Sequence, residues 1–229
     1  MIRMEKNNMY IEVRILSKSI RGVEILKDIN LRFEGGNVYG IRGKNGCGKT
    51  MLMRCICGLI RPTKGEVDIN GEILWKDIQL PRSIGVLIEN PSFIGNYTGF
   101  ENLKYLASIK GETSDEQIKD AIRKVGLDPD DYRKYRKYSL GMKQKLGIAC
   151  AFMEYPDIVI LDEPINAIDE KGVELVRGIL KELKEKGTII LLACHDKDEL
   201  ELLSDKIFVM GEGEIIDSYN KEEEKDEEQ

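Results

Sequence analysis

The chain has 229 residues, 41% of them hydrophobic and 33% charged, with a formal net charge of −6. That composition excludes a disordered or collagen-like chain and fits a soluble globular protein with a sizeable core. The tail KEEEKDEEQ (221–229) holds six acids and two lysines, so it carries −4 and leaves only −2 to the rest.

Nowhere do about 18 apolar residues run together, so no transmembrane helix is expected. The start, MIRMEKNNMY, lacks the apolar run of a secretory signal, and the expected location is the cytosol. The acidic tail cannot bury apolar surface; it reads as a solubilising end or a docking tail. The five cysteines, Cys47, Cys55, Cys57, Cys150 and Cys194, form no CxxC pair, which points to reduced thiols and no metal cluster.

In chain order, MYIEVRILSKSI and ILKDINLRF alternate apolar and polar residues as half-buried antiparallel strands do. NVYGIRG is a short strand running into glycine. KTMLMRCICGLI has helical spacing and ends at Gly58, with Pro62 beyond. GEVDINGEIL reads as a hairpin turning at Asn70-Gly71. A strand is expected over 83–89, stopped by Asn90-Pro91.

From about 99 to 155 the pattern turns helical: GFENLKYLASIK, SDEQIKDAIRKVG and GMKQKLGIACAFMEY. Strand, helix, strand, helix then return, from DIVILDEP through TIILLAC to a last hairpin, KIFVMGEGEIIDSY. That alternation predicts a mostly parallel α/β core. The expected organisation is one domain over 1–220, an N-terminal antiparallel β subdomain, a helical subdomain over about 90–155, and the tail.

DYRKYRKYSL interleaves basic residues with Tyr132, Tyr135 and Tyr138. It could stack nucleic acid, but in this acidic chain the expectation is that the tyrosines pack at spacing three while Arg and Lys face water, and no nucleic-acid partner is expected.

GKNGCGKT (43–50) fits G-x-x-x-x-G-K-[ST] in full and lies between a strand and a helix, as a phosphate-binding loop requires. Its backbone N–H groups and the following helix N-terminus can surround phosphate oxygens. The candidates are Gly43, Lys44, Asn45, Gly46, Cys47, Gly48, Lys49, Thr50 and Met51. Lys49 offers a cation to the β- and γ-phosphates, and the Thr50 hydroxyl can bind Mg²⁺. Cys47 lies inside the loop, so alkylating it is expected to block ATP binding, with ATP protecting.

In IVILDEP (158–164) an apolar strand ends in two acids. Asp162 suits a Mg²⁺ ligand, direct or through water, and Glu163 can polarise an attacking water. Two acids at a strand end are common, and only the phosphate loop gives these weight. The single histidine, His195 in LLACHD, closes another apolar strand; on that stretch alone it is better read as a packed or solvated side chain than as a functional one.

YSLGMKQ (138–144) resembles the signature motif of ATP-binding-cassette (ABC) proteins, usually LSGGQ. Tyr138 takes the Leu position, Leu140 the first Gly and Met142 the Gln, while Ser139 and Gly141 are kept. Phosphate loop, loop after strand 83–89, signature, acidic strand and His195 follow the cassette's order, and the resemblance covers essentially residues 9 to 218. It implies a P-loop NTPase cassette that binds and hydrolyses ATP with Mg²⁺, with Ser139 and Gly141 reaching phosphate, Asp169 of NAID as the D-loop acid, His195 contacting the γ-phosphate and Glu163 as general base.

Two positions depart from the family. Glu89 stands where the family has Gln; it could reach Mg²⁺ or water, raising the site's demand for Mg²⁺, or it could turn to solvent. Ile20 stands where an aromatic often stacks the base, so weaker adenine selectivity is expected. LIENPSF resembles the exporter ATPases linked to bacitracin and lantibiotic resistance.

The resemblance further implies a homodimer or paired cassette and separate transmembrane permease subunits, with the chain peripheral at the inner face of the membrane. The apolar stretch 89–100, with Pro91, Phe93, Ile94, Tyr97 and Phe100, would touch those subunits or pack on its own helical subdomain. The rival is a soluble cassette ATPase acting on DNA or ribosomes, although those usually carry two cassettes or a long coiled coil. A GTPase would want an Asn-Lys-x-Asp base reader, which the sequence lacks.

Overall fold

The computed structural model describes residues 9–111, 113–194 and 197–221. His195 and tail residues 222–229 lie outside the described residues.

The chain opens with strands β1 (Tyr10–Ile20), β2 (Val23–Glu34) and β3 (Asn37–Arg42), helix α1 (Lys49–Ile56), and strands β4 (Lys64–Ile69), β5 (Glu72–Ile73) and β6 (Ile84–Leu87). Helices α2 (Gly99–Lys110), α3 (Asp115–Lys124) and α4 (Leu140–Phe152) follow. Strand β7 (Ile158–Asp162), helix α5 (Glu170–Glu185), strand β8 (Ile189–Ala193), helix α6 (Lys197–Leu203) and the hairpin β9 (Lys206–Gly211) and β10 (Glu214–Asn220) complete it.

One sheet is antiparallel, in the order β2-β1-β4-β5, and is the expected N-terminal subdomain. Its β4–β5 turn falls at Asn70 and Gly71, both at positive φ (52° and 86°), as a tight hairpin demands. The second sheet runs β10-β9-β3-β8-β7-β6 and is parallel except for its β10–β9 edge. The carboxyl ends of β3, β6, β7 and β8 therefore open on one side, where ligands gather in parallel sheets.

Parity along the central strands divides the core in two. Val159 and Leu161 of β7, with Ile190 and Leu192 of β8, face the helical subdomain beside Leu103, Ile118, Leu146 and Phe152. Ile158, Ile160, Ile189 and Leu191 face the other way, onto Leu52, Met53 and Ile56 of α1 and onto Phe33 of the antiparallel sheet. Both faces are covered, so these strands read as continuous apolar runs.

The helices begin where their capping residues stand. Thr98 with Glu101, and Ser114 with Gln117, form reciprocal capping boxes at α2 and α3. Ser139 caps α4, its hydroxyl accepting from Met142 N–H at 3.2 Å. Helix α4 lies so close to β6 that a β-carbon on Gly85 would meet the Ala151 carbonyl oxygen at 1.6 Å.

Two expectations need correction. The strand expected over 83–89 is only Ile84–Leu87, because Glu89 turns away at φ 62°. The three tyrosines do not share a face: Tyr135 and Tyr138 are buried and Tyr132 is 87% exposed. The buried pair ties down the 89–100 stretch. Tyr135 donates to the Pro91 carbonyl at 2.6 Å and stacks edge-on to Phe93, and Tyr138 accepts from Gly99 N–H at 3.2 Å. Much of that apolar stretch packs on its own subdomain, leaving Ile94 and Tyr97 exposed beside Tyr105 and Ile109 of α2.

Candidate nucleotide site

Strand β3 lies between β8 and β9 and delivers the phosphate loop to the open edge of the sheet. Gly48, last before α1, sits at φ 112°, and a β-carbon there would come 2.9 Å from Leu26; only glycine lets the loop pass that close. No acidic residue occupies the first turn of α1, so its N-terminus is open to an anion. Lys49 is buried, and its Nζ donates to the carbonyls of Gly43 at 2.7 Å and Lys44 at 3.4 Å. Asn45, Gly46, Gly48, Lys49, Thr50 and Met51 line a cleft of 640 Å³.

Cys47 takes a different place. Its thiol points behind the loop, where a β-carbon on Gly43 would meet the sulfur at 2.5 Å, and the side chain is only 7% exposed. Its backbone N–H donates to the Lys44 carbonyl at 3.2 Å. A thiol this buried is poorly placed for the alkylation expected at Cys47. Burial pushes the Cys55 and Cys150 thiols up to about 11, which keeps them protonated.

The acids arrive from β7. By strand parity Asp162 shares the side of Ile158 and Ile160, toward α1, and there its Oδ2 accepts from the Thr50 hydroxyl at 2.6 Å. Asp162 is 7% exposed. A carboxylate and a hydroxyl set together beside the phosphate loop are hard oxygen donors, which fit a Mg²⁺ ion.

Glu163 leaves the strand with φ 53°, in the left-handed region, and lines the same cleft. Its N–H donates to the Ala193 carbonyl at 2.9 Å, and its own carbonyl accepts from Gln144 Nε2 at 2.9 Å. Strand β8 ends at Ala193, opposite Asp162 in register.

Glu89 also lines the cleft. Its Oε1 accepts from Arg54 Nη2 at 2.6 Å, with 63% of the glutamate side chain and 30% of the arginine exposed. The negative charge expected from Glu89 is thus partnered by a cation on α1, one helical turn beyond Thr50. Ile20 ends β1 beside the hairpin turn and is 39% exposed, whereas the residue of the antiparallel sheet that lines the cleft is Ile25.

Ser139, Gly141 and Asp169 gather elsewhere. They line a second recess of 600 Å³, and Leu140, 60% exposed, separates it from the cleft. Lys145 Nζ bonds Asp169 at 2.7 Å and holds its carboxyl below the usual range. Arg54, Gln144, Lys145 and Ile25 were not singled out from the sequence. Two had a local signal: Arg54 lies four residues after Thr50 on the same helix face, and Gln144 closes YSLGMKQ.

A glycine loop at the carboxyl edge of a parallel sheet, with a lysine inside it and an aspartate reaching the loop's threonine, defines a P-loop nucleoside triphosphatase. The family model described as ABC transporter matches residues 26–166, more than half of the chain, and the protein belongs to that family. It is an ATP-binding, ATP-hydrolysing cassette.

The chain is 47% identical to an uncharacterized ABC transporter ATP-binding protein, YybJ, of Bacillus subtilis, covering 90% of this chain and 94% of that protein. It is 40% identical to the bacitracin transport ATP-binding protein BcrA of Enterococcus faecalis, over 92% of this chain and 69% of BcrA. It is 36% identical to the lantibiotic transport ATP-binding protein SrtF of Streptococcus pyogenes, over 90% and 89%. Among solved structures, an ATP-binding subunit of an ABC transporter superposes with a TM-score of 0.86 at 26% identity, over 95% of this chain and 92% of that one. The cassette MJ0796 bound to ADP and Pi superposes with 0.83 at 23% identity, over 92% and 98%, a likeness of fold. Among the described residues no helix is long and apolar enough to cross a membrane.

Proposed function

We propose that the chain drives export through separate membrane subunits, as one half of a paired set of cassettes in which each ATP lies between two chains. The observation that carries this reading is that Ser139 and Gly141 line a recess that adjoins the phosphate-loop cleft across Leu140 and Ala167 but holds none of the loop's residues. A second chain, turned head to tail, would bring its Ser139 and Gly141 to this chain's nucleotide. The Ser139 hydroxyl already accepts from Met142 N–H, so its own proton is left to donate to a phosphate oxygen. The positive end of α4 adds to that contact.

In the cis half, Gly43 to Met51 cradle the phosphates and Lys49 compensates the β- and γ-phosphate charge. Thr50 and Asp162 would hold Mg²⁺, with Glu89 the further candidate ligand. The metal supplies charge compensation on the phosphate oxygens. Glu163 takes a proton from the water whose oxygen bonds to the γ-phosphorus as the bond to the β-γ bridging oxygen breaks, giving ADP and phosphate. His195 holds the γ-phosphate end, the base lies against the aliphatic edge of the antiparallel sheet, where Ile25 and not the expected Ile20 lines the cleft, and Asp169 belongs to the dimer contact.

Relatives named for bacitracin and lantibiotic transport support a peptide antibiotic as cargo. The exposed Ile94, Tyr97, Tyr105 and Ile109 are the surface offered to the membrane subunits. On this reading the chain works at the cytoplasmic face of the membrane.

The test is Glu163→Gln. ATP binding is expected to persist, a dimer to accumulate on size exclusion with ATP, and turnover to be nearly abolished. A variant that hydrolyses ATP at the parent rate would remove Glu163 from the role of base. Co-purification from membranes with an apolar partner tests the transporter reading; recovery with ribosomes or DNA alone would overturn it.

A further inference from the structure

Gln144 is a polar residue with no part in the scheme above, and it is 6% exposed. It sits on α4, one turn past the Ser139 cap, and its Nε2 donates twice: to the Glu163 carbonyl at 2.9 Å and to the Pro164 carbonyl at 3.2 Å. Those carbonyls flank the bend at which β7 gives way to a left-handed residue. A β-carbon disfavours that conformation, so Glu163 keeps its φ of 53° only if its surroundings impose it.

Two bonds impose it from opposite sides. Strand β8 receives the Glu163 N–H, and Gln144 holds the Glu163 carbonyl. The start of α4 is fixed to the same loop, since a β-carbon on Gly141 would meet the Ala167 carbonyl oxygen at 2.5 Å. Helix, amide and bend therefore form one unit. The recess of Ser139 and Gly141 lies at one end of it and the Glu163 carboxylate at the other.

We infer that Gln144 is a positioning residue: its amide holds the Glu163 bend in the conformation that presents the carboxylate to the cleft. Through it, displacement of α4 by a nucleotide on a second cassette is transmitted to the Glu163 of the same chain. This rests on the reading of Glu163 as the base. A purely structural amide would serve stability alone; a positioning amide serves kcat.

The experiment compares Gln144→Met, Gln144→Glu and Glu163→Gln in the full chain, measuring steady-state ATPase, nucleotide affinity and thermal unfolding. Methionine keeps the length and removes the donor. Gln144→Met is expected to lower kcat at least tenfold while KM and ATP affinity stay within twofold. Gln144→Glu is expected to be impaired at neutral pH and to regain activity relative to the parent as acid protonates the carboxyl and restores a donor. That profile also decides the matter if Gln144→Met fails to fold. A kcat within twofold for Gln144→Met beside an inactive Glu163→Gln would overturn this inference alone, as would kcat and affinity falling together. A fully active Glu163→Gln would overturn it together with the reading of the base.

Discussion

Removing the guanidinium of Arg54 leaves the Glu89 carboxylate without its partner at the wall of the cleft, and Arg54→Ala tests what that pair does. The contact is 2.6 Å, but 63% of the glutamate side chain is exposed and water screens it. A pair of this kind contributes about 0.2–1 kcal/mol to stability. Its effect on nucleotide binding has a separate source. Two like unit charges set about 8 Å apart at an effective dielectric of about 40, a spacing taken for a carboxylate at the wall and a phosphate in the cleft, repel by about 1 kcal/mol. That is roughly fivefold in affinity. The assay is ATP titration with and without Mg²⁺ at low salt, for the parent, Arg54→Ala, Glu89→Gln and the double variant. Arg54→Ala should weaken Mg-free ATP binding about fivefold, with part of the loss recovered by Mg²⁺. In the Glu89→Gln background the same substitution should cost less than about twofold, and the difference should fade at about 1 M salt. An equal loss in both backgrounds would refute the reasoning, because Arg54 would then act on the nucleotide and not through Glu89.

The ion network behind the helical subdomain predicts a pH dependence. Burial opposes it, but hydrogen bonds from Lys124 and Lys186 hold the Glu182 carboxyl down to about 2, against 4.5 for a free side chain. A depressed carboxyl stabilises the fold above its unfolded value and loses that contribution as pH falls through the folded one. Glu182→Gln should therefore cost about 1 kcal/mol at pH 7 by denaturant unfolding, a difference that shrinks toward zero between pH 4.5 and 2; a constant difference would contradict it. Gly85→Ala drives a β-carbon into the Ala151 carbonyl, and thermal unfolding should show a loss of about 3 kcal/mol or more. At the base, the aliphatic Ile20 and Ile25 offer no π-stacking, so nucleotide titration should show ATP favoured over GTP by less than about tenfold.

The phosphate loop was legible because its chemistry is contiguous: glycines, lysine and threonine act within one turn of chain. The helical subdomain was legible for a similar reason, its capping boxes at Thr98 and Ser114 and its 3.6-residue period both being local. Sheet order was not, because nothing in NVYGIRG says that β3 lies between β8 and β9. The tyrosines failed on a related point. Spacing three puts residues on one face only within a helix, but 132–138 is a loop with a single 3₁₀ turn, Tyr135–Lys137, so Tyr132 points to water. The Arg54–Glu89 pair was hidden because it forms only once the end of β6 lies over α1.

The two acids of IVILDEP show where such reading stops. Asp162 is still on the strand, so the parity of Ile158 and Ile160 sends it toward α1 and the loop's threonine, and its partner could be reasoned from the pattern. Glu163 is the first residue off the strand, at a φ that no propensity favours. Its direction is fixed by an amide 19 positions earlier in the chain and by a carbonyl 30 positions later. The residue type announces the chemistry, but the aim of the carboxylate belongs to α4 and β8. On that inference, a substitution at Gln144 would disarm the site while the phosphate loop and both acids of IVILDEP remain intact.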